Sequence, residues 1–136
     1  MRLVDIRNKL KLKHNEAIIF MKYGNFYRVF DEDTYIISGL LGYKIYENKV
    51  GFPISEYKKV RKILDMNYIS YIFYNDIEEI KENNNYELCL DYFKRKFYQK
   101  EILKVLDNYN VIEELEKILK VINYSKLVEL KDKYEK

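Results

Sequence analysis

Residues 17–30, A-I-I-F-M-K-Y-G-N-F-Y-R-V-F, form the most apolar and aromatic run of the chain and constrain its fold more than any other feature. The first part, residues 17–23, predicts a buried strand, because it is short, rich in β-branched and aromatic residues and followed by glycine. Residues 25–30 alternate with a period of two, which indicates a second extended segment. Two interpretations stay open: a separate strand, or the same strand resumed beyond a bulge, with Gly24 supplying the special backbone angles.

The segments around this run predict a mixed sheet with helices packed against it. Apolar residues at helical spacing begin an amphipathic helix at Leu3. Its outer face is expected to be basic and to contain Arg2, Arg7, Lys9, Lys11 and Lys13. A second helix ends near Gly42, where glycine suits the residue after a helix.

Further along, residues 43–46 and 49–52 flank Glu47-Asn48 and are predicted to form a hairpin. Ser55 is expected to cap a third helix. Residues 68–74, Y-I-S-Y-I-F-Y, predict another strand.

The acidic run Asp31-Glu32-Asp33 admits two interpretations. Carboxylates at the start of a helix cap it and interact favourably with its dipole. A carboxylate cluster also suggests a metal site, but no further ligands are spaced nearby. Helix capping is therefore the favoured interpretation, and neither a metal nor another cofactor is predicted.

The second half of the chain is predicted to be helical. Asn83-Asn84-Asn85 is the strongest linker candidate, and a later helix opens with Asn110-x-x-Glu113, which is similar to a capping box. This helix has an apolar stripe of Val111, Leu115, Ile118 and Ile122. Intramolecular packing of the stripe is favoured over contact with a partner helix, because the pattern is too short for sustained heptads.

The sequence therefore predicts an α/β (α+β) fold with two parts. Residues 1–76 form the module with the small mixed sheet. Residues 77–136 form a helical extension that packs on the module or mediates dimerisation.

The charge distribution is compatible with a nucleic-acid partner but does not require one. The net charge is +3, and residues 1–76 carry 13 basic and 9 acidic side chains, against 12 and 13 in residues 77–136. Dedicated nucleic-acid domains are usually more strongly basic. The single cysteine, Cys89, rules out an intramolecular disulfide and favours a reducing compartment, the cytoplasm. Neither a signal peptide nor a membrane span is predicted.

Catalytic motifs are missing from the sequence. It contains no H-E-x-x-H motif, no glycine-rich phosphate loop and no pattern of a His/Cys or Ser/His catalytic set. The prediction is that the protein is not an enzyme.

Residues 20–34, F-M-K-Y-G-N-F-Y-R-V-F-D-E-D-T, resemble the N-terminal mismatch-recognition domain of the MutS family of DNA repair proteins. That domain has the pattern aromatic-x-x-x-Gly-Asp-Phe-Tyr-Glu-x-Phe, followed by an acidic turn ending in Asp-Ala. The matching positions here are Gly24, Phe26, Tyr27, Phe30 and Asp33. The similarity continues through V-G-F-P at 50–53 and the helix and strand after it, and covers about residues 1–76.

The resemblance implies roles in DNA binding. In the family, the phenylalanine of Phe-x-Glu wedges into the base stack from the minor groove, and the glutamate hydrogen-bonds the displaced base. Phe26 would be the wedge; the alternative interpretation is that Phe26, on a strand with a period of two, lies in the core. Arg28 stands at the glutamate position, which favours contact with phosphate or a base edge over mismatch discrimination. The remaining contacts implied are Asn25, Lys22, Lys44 and Lys49.

Two functions follow from these observations. The first is a DNA-binding module that recognises distorted or mismatched duplex through Phe26, without ATPase activity, since the chain contains no G-x-x-x-x-G-K-[ST] loop. The second is a protein-interaction module that keeps the fold but does not bind DNA. In the second case the C-terminal helices bind a protein partner or a second copy of the chain.

Overall fold

One mixed sheet of five strands organises the first part of the chain, and helices pack on both of its faces. The computed structural model describes residues 2–106 and 110–135. The helices are α1 (Leu3–Lys13), α2 (Asp33–Leu41), α3 (Tyr57–Met66), α4 (Tyr86–Leu106), α5 (Val111–Val121) and α6 (Tyr124–Tyr134). The strands are β1 (Ile18–Tyr23), β2 (Phe26–Phe30), β3 (Lys49–Pro53), β4 (Tyr71–Phe73) and β5 (Ile77–Glu79).

The strand order is β3-β2-β1-β4-β5, with β1 in the centre. β1 runs parallel to β4, and the other neighbouring pairs are antiparallel. The prediction of a mixed sheet flanked by helices and followed by a helical segment is confirmed. β2 is a separate strand that pairs with β1 as a hairpin, which decides the alternative that the sequence left open.

Side-chain alternation gives the sheet two apolar faces. One face forms the larger core, where Phe20, Val29 and Phe52 pack with residues of α2 and α3 such as Ile36 and Leu64. The opposite face has a smaller core of Ala17, Ile19, Met21 and Ile72, against which Ile6 and Leu10 of α1 pack. Because α1 packs near β1 and β4, it leaves part of β2 and β3 exposed on this second face.

Two local predictions in the module are wrong. Residues 43–46 do not form a strand: pairing across the two-residue turn at Glu47 and Asn48 stops after a single bridge between Tyr46 and Lys49, and Tyr43 and Ile45 pack against the larger core. β3 pairs with β2 instead. Ser55 does not cap a helix, since it lies in a short 3₁₀ turn and α3 begins two residues later without a side-chain cap.

The predicted linker at Asn83-Asn84-Asn85 is part of the fold. The Asn84 side chain accepts a hydrogen bond from the Ser70 backbone N–H at 3.0 Å and donates one to the Glu16 carbonyl. The Asn85 amide donates to the Asn67 carbonyl at 3.1 Å. Asparagine, a common loop residue, here satisfies backbone groups next to β4 and leads directly into α4.

The chain divides into two compact units between Phe97 and Tyr98. Residues 77–97 belong to the first unit, although the sequence analysis assigned them to the helical extension. The reason is visible at Tyr86, which is only 1% exposed and packs in the larger core. Within the same unit, the Phe93 ring lies against Gly39 of α2 and leaves no room for a Cβ there.

The second unit consists of the end of α4 together with α5 and α6. Asn110 caps α5 as predicted, because its side chain accepts hydrogen bonds from the backbone N–H groups of Ile112 and Glu113 at 3.1 and 3.3 Å. None of the residues that the structure describes in this unit is buried. Across both described segments, no helix has the length and apolar character needed to span a membrane.

Candidate nucleic-acid interface

The β1–β2 hairpin places Phe26 on the exposed part of the sheet. Gly24 has φ of +59° at the first position of a two-residue loop, as a type II′ hairpin turn requires. Phe26 follows this turn and faces Tyr23 on β1 and Pro53 on β3. Its side chain is 47% exposed. Phe26 is therefore a surface residue and not part of the core.

Arg28 lies on the same face, two residues along β2. Its guanidinium carbon is 4.8 Å from the centre of the Tyr23 ring, a cation–π distance that orients the charged group. On the β3 side, Gly51 lies opposite Arg28. Because Gly51 has no side chain, the aliphatic part of the arginine packs over its backbone. Within the described residues, no carboxylate lies within ion-pair distance of Arg28. Its positive charge is thus fixed in direction and open to an anion.

We call Tyr23, Phe26, Arg28, Gly51 and Pro53 the aromatic–arginine face. Phe26, Gly51 and Pro53 are exposed, whereas Tyr23 and Arg28 are half-buried. Phe30 borders the face toward α1 and contacts Tyr23 edge-on, with ring centres 6.0 Å apart. The face thus combines the exposed Phe26 ring with the oriented Arg28 cation. Because Gly51 has no side chain, a flat or charged ligand can approach this surface closely.

The other predicted contacts lie at different places. Asn25 is exposed in the turn directly before Phe26, and its carbonyl accepts a hydrogen bond from the Ile54 N–H at 2.9 Å. Lys49 shares the face of Phe30 across β2 and β3, with its Nζ 3.9 Å from the Glu47 carboxylate. Lys44 is exposed in the connection between α2 and β3. Lys22 points to the opposite side of the sheet, because it pairs with the buried Tyr27.

Sequence reasoning missed Tyr23 and Gly51, the two residues that set the position of Arg28. The alternation of β1 places Tyr23 on the face of Met21, but the pairing with β2 is needed to bring it next to Arg28. Gly51 belongs to the V-G-F-P segment, and only the β2–β3 register shows that it lies opposite Arg28.

The acidic run has a different role from the predicted one. Neither Asp31, Glu32 nor Asp33 caps α2 through its side chain. Asp33 is fully buried and accepts hydrogen bonds from Lys11 Nζ at 2.7 Å, the Tyr86 hydroxyl at 2.6 Å and the Ile19 N–H at 3.1 Å. We call Asp33, Lys11 and Tyr86 the buried triad. It joins α1, α2, β1 and α4 behind the β1–β2 hairpin.

Burial shifts the pKa values of Lys11 and Tyr86. It lowers the pKa of the Lys11 ammonium, and the nearby Asp33 carboxylate opposes that change. Burial also raises the pKa of the Tyr86 hydroxyl, and the negative charge of Asp33 adds to the effect. Within the described residues, no three His, Cys, Asp or Glu side chains are grouped as metal ligands.

The prediction that α1 exposes five basic side chains is wrong for two of them. Lys11 belongs to the buried triad, and the Arg7 side chain is only 8% exposed. Arg7 donates to the Phe30 carbonyl at 3.1 Å and pairs with Asp31 at 3.4 Å, so that it anchors the end of β2. α1 therefore uses two of its cations to hold the hairpin.

Comparison with protein families gives a match to MutS domain I over residues 5–105, which is more than half of the chain. This chain belongs to the MutS domain I family. The prediction from residues 20–34 is confirmed, and the match extends through most of α4, beyond the 76 residues of the predicted resemblance. A search among curated proteins found no match.

Membership defines the general character of the module. MutS domain I is the mismatch-recognition domain of its family, and residues 20–34 carry the family motif here on β1, β2 and the start of α2. The position where the family has glutamate is Arg28, on the aromatic–arginine face.

Proposed function

We propose that this chain binds double-stranded DNA through the aromatic–arginine face and prefers distorted or mismatched duplex, with Phe26 as the wedge. The observation that carries the proposal is the exposed Phe26 ring, 47% accessible, on the same face of β2 as the guanidinium of Arg28. Membership of a mismatch-recognition family supports it.

Phe26 is suited to insertion because its ring is apolar and the hairpin holds its backbone. An apolar side chain inserted between base pairs unstacks them, which costs a few kcal/mol, and gains contact with the bent duplex. The cost is lowest at a mismatch, where stacking and pairing are already weakened. A wedge therefore favours distorted DNA without any hydrogen bond to a particular base.

Arg28 contributes affinity more than discrimination. A guanidinium attracts phosphate at every site, and it binds base edges that accept hydrogen bonds. The family glutamate, in contrast, repels the phosphate backbone of DNA and gains a hydrogen bond only where a base is displaced. We infer that this chain binds duplex DNA, and that its preference for mismatched over matched duplex is smaller than that of a domain with glutamate at this position. Asn25 and Lys49 supply further polar and cationic contacts near the face. Lys44, in the loop before β3, and Lys22, on the opposite side of the sheet, contribute only long-range attraction between their positive charge and the duplex.

The proposed activity is binding, with neither catalysis nor a cofactor. We place it in the cytoplasm, because the single cysteine, Cys89, requires no oxidising compartment. Burial raises the pKa of the Cys89 thiol, which disfavours the reactive thiolate.

The alternative function is a protein-interaction module that has lost DNA binding. The observation that favours it is the second unit, where apolar side chains such as Ile112 and Val121 are 70% and 83% exposed. The two functions differ in salt dependence. DNA binding through several cations weakens steeply as salt rises, whereas an apolar helical interface does not.

The test is a fluorescence-anisotropy titration of matched, mismatched and looped duplexes at two salt concentrations. We expect tighter binding to the distorted duplexes and loss of that preference in Phe26→Ala. Tyr124→Ala is the matched control, because it removes an aromatic ring that is 81% exposed on a helix of the second unit. Circular dichroism verifies the fold of each variant. Salt-sensitive binding that ignores both the mismatch and Phe26 contradicts the wedge, and no binding to any duplex at low salt contradicts the DNA proposal as a whole.

A further inference from the structure

Arg28 is the only charged side chain of the aromatic–arginine face, and it lies next to the proposed wedge. Phe26 and Arg28 point to the same side of β2, and residues two apart on a strand are about 7 Å from one another. The Tyr23 ring, 4.8 Å from the guanidinium carbon, holds the charge on the β1 side of β2. Tyr23 is itself packed edge-on against Phe30. With Phe26 inserted in a duplex, the base pairs beside the inserted ring therefore lie within reach of Arg28.

The guanidinium of Arg28 can donate hydrogen bonds but cannot accept them, because it carries five N–H donors and no acceptor. Proteins that wedge apolar side chains between base pairs do so from the minor groove. There, A·T pairs present acceptors alone, whereas G·C pairs add the N2 amino group of guanine, which is a donor. Arg28 therefore finds only acceptors beside an A·T pair and meets a competing donor beside a G·C pair.

The shape and potential of the minor groove act in the same direction. Runs of A·T pairs have a narrow minor groove with a strongly negative potential, which attracts arginine side chains. Within the described residues, no ion pair neutralises the charge of Arg28. On its β3 side, the exposed Gly51 has no side chain that could keep the edge of a groove away. The face thus allows the close approach that a contact with base edges requires.

We propose that Arg28 is a specificity-determining residue that reads the minor-groove edge of the base pairs beside the wedge, so that the preferred duplex is a distortion flanked by A·T pairs. This inference rests on the proposed function: Phe26 selects the distortion, and Arg28 selects the pairs next to it. Tyr23 is a positioning residue, because it acts through the guanidinium. The expected preference for A·T over G·C flanks is roughly three- to tenfold, below that of a good bidentate contact, because the minor-groove edge offers one acceptor per base.

The test is a fluorescence-anisotropy titration of duplexes that share one central mismatch and differ only in the pairs on either side of it. The flanking pairs are A·T, G·C or inosine·cytosine, since inosine lacks the N2 amino group of guanine and keeps its major-groove edge. We expect the A·T and inosine·cytosine duplexes to bind roughly three- to tenfold more tightly than the G·C duplex. Equal affinities for A·T and G·C flanks overturn the proposal. An inosine·cytosine duplex that binds like the G·C duplex overturns it too, because the N2 amino group is then not the group that is read.

Arg28→Ala separates this readout from the deformability of DNA, because steps such as TA also bend more easily than G·C steps. We expect the preference for A·T flanks to disappear in Arg28→Ala. The matched control is Arg95→Ala, which removes an arginine whose side chain is 74% exposed on α4 and is expected to keep the preference. Circular dichroism verifies the fold of each variant. A preference that survives Arg28→Ala overturns the proposal, since the deformability of DNA then explains it.

Tyr23→Leu tests the orientation of the guanidinium without removing its charge. Leucine keeps an apolar side chain against Phe30, so we expect the preference for A·T flanks to shrink while the salt dependence of binding stays the same. An undiminished preference in Tyr23→Leu overturns the positioning role of Tyr23.

The same titrations distinguish this proposal from the proposed function. The proposed function is measured by the ratio of mismatched to matched affinity, and the readout by Arg28 is measured by the ratio between flanks of one mismatch. A chain that prefers mismatched duplex but ignores the flanking pairs refutes only the readout by Arg28. A chain that binds no duplex at low salt refutes both.

Discussion

Tyr86→Phe removes a single oxygen atom from the buried triad. The Tyr86 hydroxyl donates to the Asp33 carboxylate at 2.6 Å and accepts from Lys11 Nζ at 3.0 Å. Phenylalanine keeps the ring, which is 1% exposed and packed in the larger core. The substitution therefore isolates the contribution of the hydroxyl to the stability of the first unit.

The expected loss is about 2 kcal/mol in the free energy of unfolding. A hydrogen bond to a charged group contributes roughly 1.5–3 kcal/mol. The lower part of that range applies, because Asp33 keeps Lys11 and the Ile19 N–H, and Lys11 keeps Asp33 and the Ala17 carbonyl at 2.7 Å. Asp33 and Lys11 therefore each keep two hydrogen-bond partners, and only one N–H of the Lys11 ammonium loses its acceptor. For a unit of this size, the loss lowers the melting temperature by roughly 10 °C.

Urea denaturation followed by near-ultraviolet circular dichroism measures this loss, since the signal comes mainly from packed tyrosine rings. The matched control is Tyr68→Phe, which removes a hydroxyl from a residue that is 62% exposed and is expected to change stability by no more than about 0.5 kcal/mol. If Tyr86→Phe is as stable as the wild-type chain, the Asp33 carboxylate does not depend on the hydroxyl. The role given to the triad in joining α1 and α4 to the sheet is then wrong.

Two further predictions concern charge. Arg28→Glu introduces the acidic residue of the family pattern, so we expect weaker DNA binding overall and a larger ratio of mismatched to matched affinity. The plot of log binding constant against log salt concentration is expected to become shallower by about one unit of slope. An unchanged slope in the anisotropy titration contradicts a phosphate contact by Arg28. Stability is also expected to fall as pH rises above about 10, because burial raises the pKa of Tyr57 to about 12 and raises that of Tyr86, so the folded chain keeps phenolic protons that the unfolded chain releases. Lys11, whose lowered pKa acts in the opposite direction, reduces this loss without reversing it. Urea midpoints measured across this pH range test the sign, and a midpoint that rises with pH contradicts it.

Much of the module follows from local sequence patterns. The alternation in residues 25–30 and the glycine at position 24 are sufficient to place Phe26 and Arg28 on one face of an extended segment. The family motif in residues 20–34 identifies the domain, and Asn110 marks the start of α5. These features depend on backbone geometry over a few residues, which is why they can be recognised without the fold.

Other features depend on partners that are distant in sequence. Asp33, Lys11 and Tyr86 span 75 positions, and each looks like an ordinary surface or capping residue in its own segment. Arg7 looks like part of an exposed basic helix face, yet it is buried because it reaches the carbonyl at the end of β2. Sequence periodicity describes one helix or strand at a time. It does not show which hydrogen-bonding groups of a distant element need a partner from that helix or strand.

Local alternation and a short pattern of glycine and aromatic residues were enough to predict the family, the mixed sheet and the residues of the wedge motif. The exposure of the Phe26 ring and the orientation of Arg28 by Tyr23 became visible only in the folded chain. The tertiary structure also assigned residues 77–97 to the first unit. The physical reason is that exposure and orientation are set by strand register and by the position of α1, which are products of packing between segments and not properties of any one of them.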